Sequence, residues 1–146
     1  MTGRRIATVC TLLISAFIIF VGMWFILQPH SAVAGLGITG PTGTGEGFYD
    51  IKGVRDITSG LVPLALLIAG QRRALGWAVL AEAFTPLGDA VIVLSHGGPL
   101  ATALGVHALT AVFVLATAGL LLRETRRPAT APSLTPATAT ATATAN

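Results

Sequence analysis

Arg55, Asp56, Glu82, Asp89 and His107 are the side chains whose types and spacing could do chemistry in an otherwise apolar chain. A guanidinium can hold an anionic or carbonyl oxygen, and carboxylates beside an imidazole can move protons. Lys52 and His96 are secondary candidates. On a helix, positions three, four and seven apart share a face. Lys52, Arg55, Asp56, Ser59 and Pro63 then form one stripe, and Glu82, Thr85, Asp89 and His96 a second. His107, Thr110 and Thr117 make a third, while Thr8, Thr11, Ser15 and Gly22 give the first apolar run only a small-residue stripe.

Depth draws the stripes together. Asp89 precedes the Gly97–Gly98 turn by eight or nine residues, and His107 follows it by nine or ten. At about 1.5 Å per residue both lie roughly 10 Å below the same surface. A helix starting near Phe48 brings Arg55 and Asp56 to that level, with Glu82 two turns deeper. The expectation is a cluster in which Arg55 faces Asp56, Asp89 and His107. As a structural device it would fix helix register through an ion pair. As a site it would be a ligand or proton-handling pocket, the default for ionisable residues inside a membrane. A divalent cation would be repelled by Arg55, and the His-Glu-x-x-His type of spacing is absent, so no metal is expected. No cofactor is implied either. The Gly-x-Gly pieces of "GITGPTGTGEG" follow no strand and precede no phosphate-loop lysine.

The elements that must carry these residues follow from composition. Of 146 residues, 53% are hydrophobic and only 10% charged, with a mean hydropathy of +0.78. A soluble domain carries about a quarter charged residues, so this chain cannot cover a water-facing surface. The expected fold is all-α, an integral membrane bundle of four helices. A span needs about 20 apolar residues, and the runs lie at about 6–27, 50–70, 74–95 and 100–122. Arg4 and Arg5, Arg72 and Arg73, and Arg123, Arg126 and Arg127 all fall on one side when four spans alternate. The positive-inside rule makes that side, with both termini, cytoplasmic, in the cell membrane. Trp24 and Trp77 read as interface anchors, and Pro63 and Pro86 as bends.

"SAVAG" offers a signal-peptidase-like site, but the preceding 22-residue run is longer than an h-region of about 7 to 15, so retention is expected. The lone Cys10 excludes an intramolecular disulfide. The net charge of +3 shows no basic stripe interleaved with aromatics, so nucleic acid is not an expected partner. The glycine- and threonine-rich loop 28–47 has little to hold it rigid. The Ala/Thr/Pro tail 128–146 is expected to be disordered.

"KGVRDITSGL" (52–61), "PLGDAVIVLSHGG" (86–98) and the later His107 together resemble the small four-helix membrane proteins grouped as domain of unknown function 4267. Gly53, Arg55 and Asp56, then Gly88 and Asp89, then His96 to Gly98 carry the likeness, which runs from about Ile6 to Leu122. It implies a multi-pass membrane protein and supplies no reaction. More distantly the arrangement is similar to DoxX-like bundles, an analogy of architecture only.

The function expected is binding of, or action on, a small apolar molecule at the Arg/Asp/His cluster, with the lipid bilayer as the surrounding partner. A non-enzymatic accessory subunit is the alternative. A proton-coupled transporter is a third reading, weakened by the one-sided arginines and the absence of an acid in the first span. The topology has a direct check in a Cys10→Ser background. Gly43→Cys should react with an impermeant thiol reagent from outside and Thr130→Cys should not; the reverse pattern would refute it.

Overall fold

The structure, a computed structural model, describes residues 2–125. The tail expected at 128–146 lies outside the described residues, as do Arg126 and Arg127. Among the described residues every regular element is helical. α1 (Thr2–Leu27) is followed by the short α2 (Pro29–Ala34), a 3-10 turn (Gly43–Glu46) and α3 (Gly47–Ile68). α4 (Arg72–Glu82) and α5 (Phe84–Ser95) come next, and α6 (Leu100–Thr102) runs through a π-helical turn (Ala103–Ala108) into α7 (Leu109–Glu124).

Local chemistry sets these limits. α1 runs on because nothing between Arg5 and Leu27 is charged or proline. It stops where Gln28, preceding a proline, adopts an extended φ of −143°, and Pro29 then opens α2. Gly70 and Gly97 take positive φ, 70° and 72°. At each, two backbone bonds close the helix end in the Schellman pattern, Gln71 N–H to Leu66 O at 2.9 Å and Gly98 N–H to Val93 O at 2.8 Å being the longer-range member. Pro86 has no N–H to give the Glu82 carbonyl, and the helix breaks three residues earlier, at Ala83, into α4 and α5. Pro63, by contrast, sits inside an uninterrupted α3.

Three helical stretches are long and apolar enough to cross a membrane: Gly3–Leu27, Arg72–Ser95 and Leu100–Glu124. Their outer faces present bare apolar side chains, among them Leu13, Phe20, Leu27, Val91 and Val112, a surface that suits lipid rather than water. The remaining expected span corresponds to α3, which Asp50, Lys52, Arg55 and Asp56 set apart from these three.

α1 and α3 run antiparallel and very close. A Cβ on Gly22 would lie 2.5 Å from the Gly53 carbonyl oxygen, and one on Gly53 would lie 2.6 Å from that of Gly22. The same register puts Gly60 against the Ser15 carbonyl and the Phe25 ring beside Tyr49. Tyr49, Gly53, Asp56, Gly60 and Pro63 are the buried residues of α3, and their 4-3-4-3 spacing is the seam of a left-handed helix pair. α4 packs on α7 around Leu75, Val79, Ala118 and Leu121, with Ala7 and Ile14 of α1 joining that core. At the same end Arg72 acts as a clasp. Its Nε and Nη2 donate to Glu124 Oε1 at 2.8 and 2.6 Å, and its Nη1 donates to Thr8 Oγ1 at 3.0 Å.

The loop 28–47 corrects the expectation of a slack connection. α2 buries Ala32 beside Phe25 and Tyr49, and the Tyr49 hydroxyl donates to the Pro41 carbonyl at 2.8 Å. The loop is folded down as a cap.

Gly22→Ala should therefore destabilise the protein by about 1–3 kcal/mol, the usual range for overpacking a tight contact. Gly119→Ala, where the added methyl meets nothing within 4 Å, should be neutral or gain up to about 1 kcal/mol of helix propensity. Thermal unfolding of the two variants in detergent checks the contrast. Equal effects would show that the α1–α3 approach is not limiting.

Candidate functional site

Four stretches of chain surround a cavity of about 550 Å³, within the range of roughly 300–1,000 Å³ typical of small-molecule sites. α1 supplies an apolar wall through Ile14, Phe17, Val21 and Phe25. Lys52, Asp56 and Ser59 enter from α3, Glu82 from the end of α4, and Thr85, Pro86 and Asp89 from α5. His107, Thr110 and Phe113 come from the last helical stretch, and Leu36 of the cap closes the top.

Each polar group arrives by a local device. Lys52 and Asp56 are i, i+4 neighbours on one helix face, where opposite charges meet. Lys52 Nζ donates to Asp56 Oδ2 at 2.6 Å and lies 4.6 Å from the centroid of the Phe25 ring. Asp56 is 7% exposed, so its charge is matched inside the protein and not by water. Glu82, Thr85 and Asp89 stay on one line across the break that Pro86 imposes. His107 belongs to the π-helical turn, a local widening of the ladder often found at functional positions. It is 6% exposed, and its Nε2 lies 3.3 Å from the Leu36 carbonyl. Because a carbonyl only accepts, Nε2 carries the hydrogen. Nδ1 faces Asp89 Oδ2 at 3.8 Å, beyond hydrogen-bond length.

The structure thus brings Asp56, Glu82, Asp89 and His107 to one cavity but does not bring Arg55 there. Arg55 is exposed on the outer side of α3 and forms no ion pair among the described residues. The reason is helical geometry. Adjacent residues point about 100° apart at 3.6 residues per turn, and with Asp56 turned into the bundle Arg55 falls on the outer edge of the stripe, where it is exposed. The cavity's cation is Lys52, and the i, i+4 spacing to Asp56 was the signal for it. His96 is also outside, its Nδ1 bonded locally to the Ile92 carbonyl at 2.9 Å. The Leu36 carbonyl, which orients His107 across 71 residues of sequence, had no signal in the sequence, since any residue offers a carbonyl. Among the described residues no three of His, Cys, Asp and Glu converge closely enough to hold a metal ion.

The family model described as Domain of unknown function (DUF4267) matches residues 15–121. The chain belongs to this family. The matched stretch includes every charged residue and the histidine of the cavity, together with both glycine-terminated turns. The family's description assigns no activity, so the chemistry of a DUF4267 protein has to be argued from this geometry. No curated protein and no solved structure matches the chain significantly, and the more distant DoxX-like resemblance stands without support.

Lys52→Met should strand the Asp56 carboxylate and cost about 3–5 kcal/mol, as expected for breaking a buried pair, with Lys52→Met/Asp56→Asn recovering much of it. Arg55→Ala should change stability by less than about 0.5 kcal/mol, as an exposed substitution does. Thermal melts of the three variants in one detergent decide it. A collapse of Arg55→Ala would show that the guanidinium has an internal partner after all.

Proposed function

We propose that this DUF4267 protein is a four-span bundle in the cell membrane, with both termini cytoplasmic, that binds a small molecule having an apolar body and one polar end. α3 is its least apolar span. At 22 residues it is about 33 Å long, enough for the hydrocarbon core, and its charges lie in the first half, where Lys52 and Asp56 face inward and Arg55 can extend toward the headgroups.

The observation that carries the reading is the composition of the cavity. Its wall is mostly hydrocarbon from α1 and α7, while the ionisable groups come from α3, the end of α4, α5 and the π-helical turn. A purely structural ion pair needs no surrounding space, because close packing secures it better. Here the pair borders a volume that side chains leave open. Phe17, Val106, Leu109 and Phe113 line that volume and keep much of their apolar surface uncovered. That arrangement supports lateral access from the bilayer for a lipid-soluble molecule.

The test is the content of the cavity. Protein purified in mild detergent should retain a small amphiphilic molecule detectable by native mass spectrometry or by extraction. Ser59→Phe, which fills the cavity from α3, should lose it at unchanged thermal stability. Identical extracts from the two proteins, or no retained molecule in either, would overturn the binding reading.

A further inference from the structure

The identity of the ligand's polar end follows from which groups in the cavity are already satisfied, and this deepens the binding reading on which it rests. Lys52 is taken: its ammonium donates to Asp56 at 2.6 Å and sits over the Phe25 ring. Arg55 faces outward. Among the described residues, the lining thus offers an anionic or carbonyl-ended ligand no cation that is not already paired, and two further acidic side chains, Glu82 and Asp89. Like charges in a low-dielectric site repel strongly. The cavity is not built for an anion.

Asp89 and His107 are arranged for the opposite. An imidazole whose one hydrogen sits on Nε2 for the Leu36 carbonyl presents a lone pair at Nδ1. That lone pair faces a second acceptor, Asp89 Oδ2, across 3.8 Å. Two acceptors at this separation do not bond each other, and the group that satisfies both is a donor with at least two hydrogens. Both residues line the cavity. His107 is held in place by the cap, while the Asp89 carboxylate, 36% exposed, makes no hydrogen bond among the described residues and is left to take a donor from the cavity.

We infer that the cavity binds amphiphiles whose polar end is a primary or secondary ammonium, its N–H groups donating to Asp89 Oδ2 and His107 Nδ1 while the hydrocarbon chain runs between Phe17 and Phe113 toward the bilayer. A charge-assisted pair of hydrogen bonds favours such a cation over a neutral alcohol of the same length. A quaternary ammonium has no hydrogen to give. A phospholipid amine would bring a phosphate toward Glu82 and Asp89 and is disfavoured by that repulsion.

The experiment is calorimetric titration of the full chain, in nonionic detergent near neutral pH, with decylammonium, decyltrimethylammonium, decanol and decanoate. Decylammonium should bind at least tenfold more tightly than each of the other three, and Asp89→Asn should reduce that preference to less than threefold. Should Asp89→Asn fail to accumulate, the ranking of the four probes on the unaltered chain decides alone. Equal binding of decylammonium and decyltrimethylammonium, as for a simple imidazolium–carboxylate pair with no donor between, would overturn the proposal. So would tighter binding of decanol or decanoate. Where those probes bind and Ser59→Phe abolishes it, the cavity reading survives and only the ammonium assignment falls. Where none of the four binds, both fall.

Discussion

The contact between Gly22 and Gly53 is the constraint on which the rest of this molecule depends. Two helices that meet backbone to backbone leave no freedom in rotation, because any turn of α3 about its axis would drive Val54 or Lys52 into α1. With Gly53 and Gly60 fixed on the seam, Asp56 falls on the same side and Lys52 flanks it, over Phe25. Ile51, Val54 and Leu61 are left facing outward. In lipid, where apolar side chains gain nothing by leaving hydrocarbon, such close approach between small residues is a principal source of helix association. The seam therefore does two jobs, holding the helices and aiming the charges.

Once α3 is aimed, the ends of the molecule divide the remaining tasks. At the end where α1 begins, Arg72 ties α4 to α7 and α1 through Glu124 and Thr8, and the core around Leu75, Val79 and Leu121 fills the space beneath it. Among the described residues this end keeps a more open cleft, bordered by Arg4, Arg72, Arg123 and Glu124. At the other end the cap replaces the clasp. Tyr49 bonds the loop from one side and His107 from the other, and His107 also borders the cavity. A change at His107 is thereby felt by the cap, and the cap's position sets the hydrogen on His107.

Much of this was legible in the sequence, and the exceptions have physical causes. Apolar runs and one-sided arginines point to helices of membrane length, and stripes at helical spacing place Asp56, Glu82, Asp89 and His107 together because periodicity survives folding unchanged. Arg55 was placed in the cluster because it shares a stripe with Lys52, Asp56 and Ser59, whereas it lies on that stripe's outer edge, about 100° from Asp56, and is exposed. Lys52 was kept as a secondary candidate although its i, i+4 spacing to Asp56 already marked the pair. The cap was missed because glycine and threonine carry no periodic signal, and its order comes from partners elsewhere in the chain. The Arg72 clasp was hidden behind its value as a topology marker, since a charge that sets orientation leaves no further trace of what it bonds.

The location of the cavity follows from where the helices depart from regularity. Straight helices in contact pack to the density of a protein interior and leave voids seldom larger than a water molecule. Two departures occur on neighbouring stretches here, the break at Ala83 forced by Pro86 and the π-helical turn of Ala103–Ala108, and α5 packs directly on that turn. Pro86 leaves the Glu82 carbonyl without its helical donor, and the π turn carries the buried Ala103 and His107. Neither irregularity improves packing, and each costs backbone hydrogen bonding that lipid cannot replace. Both lie against the same space, and the residues they deliver to it are the acid and the histidine. Space and polar groups thus share one cause, which is a stronger sign of a site than either the volume or the charges alone.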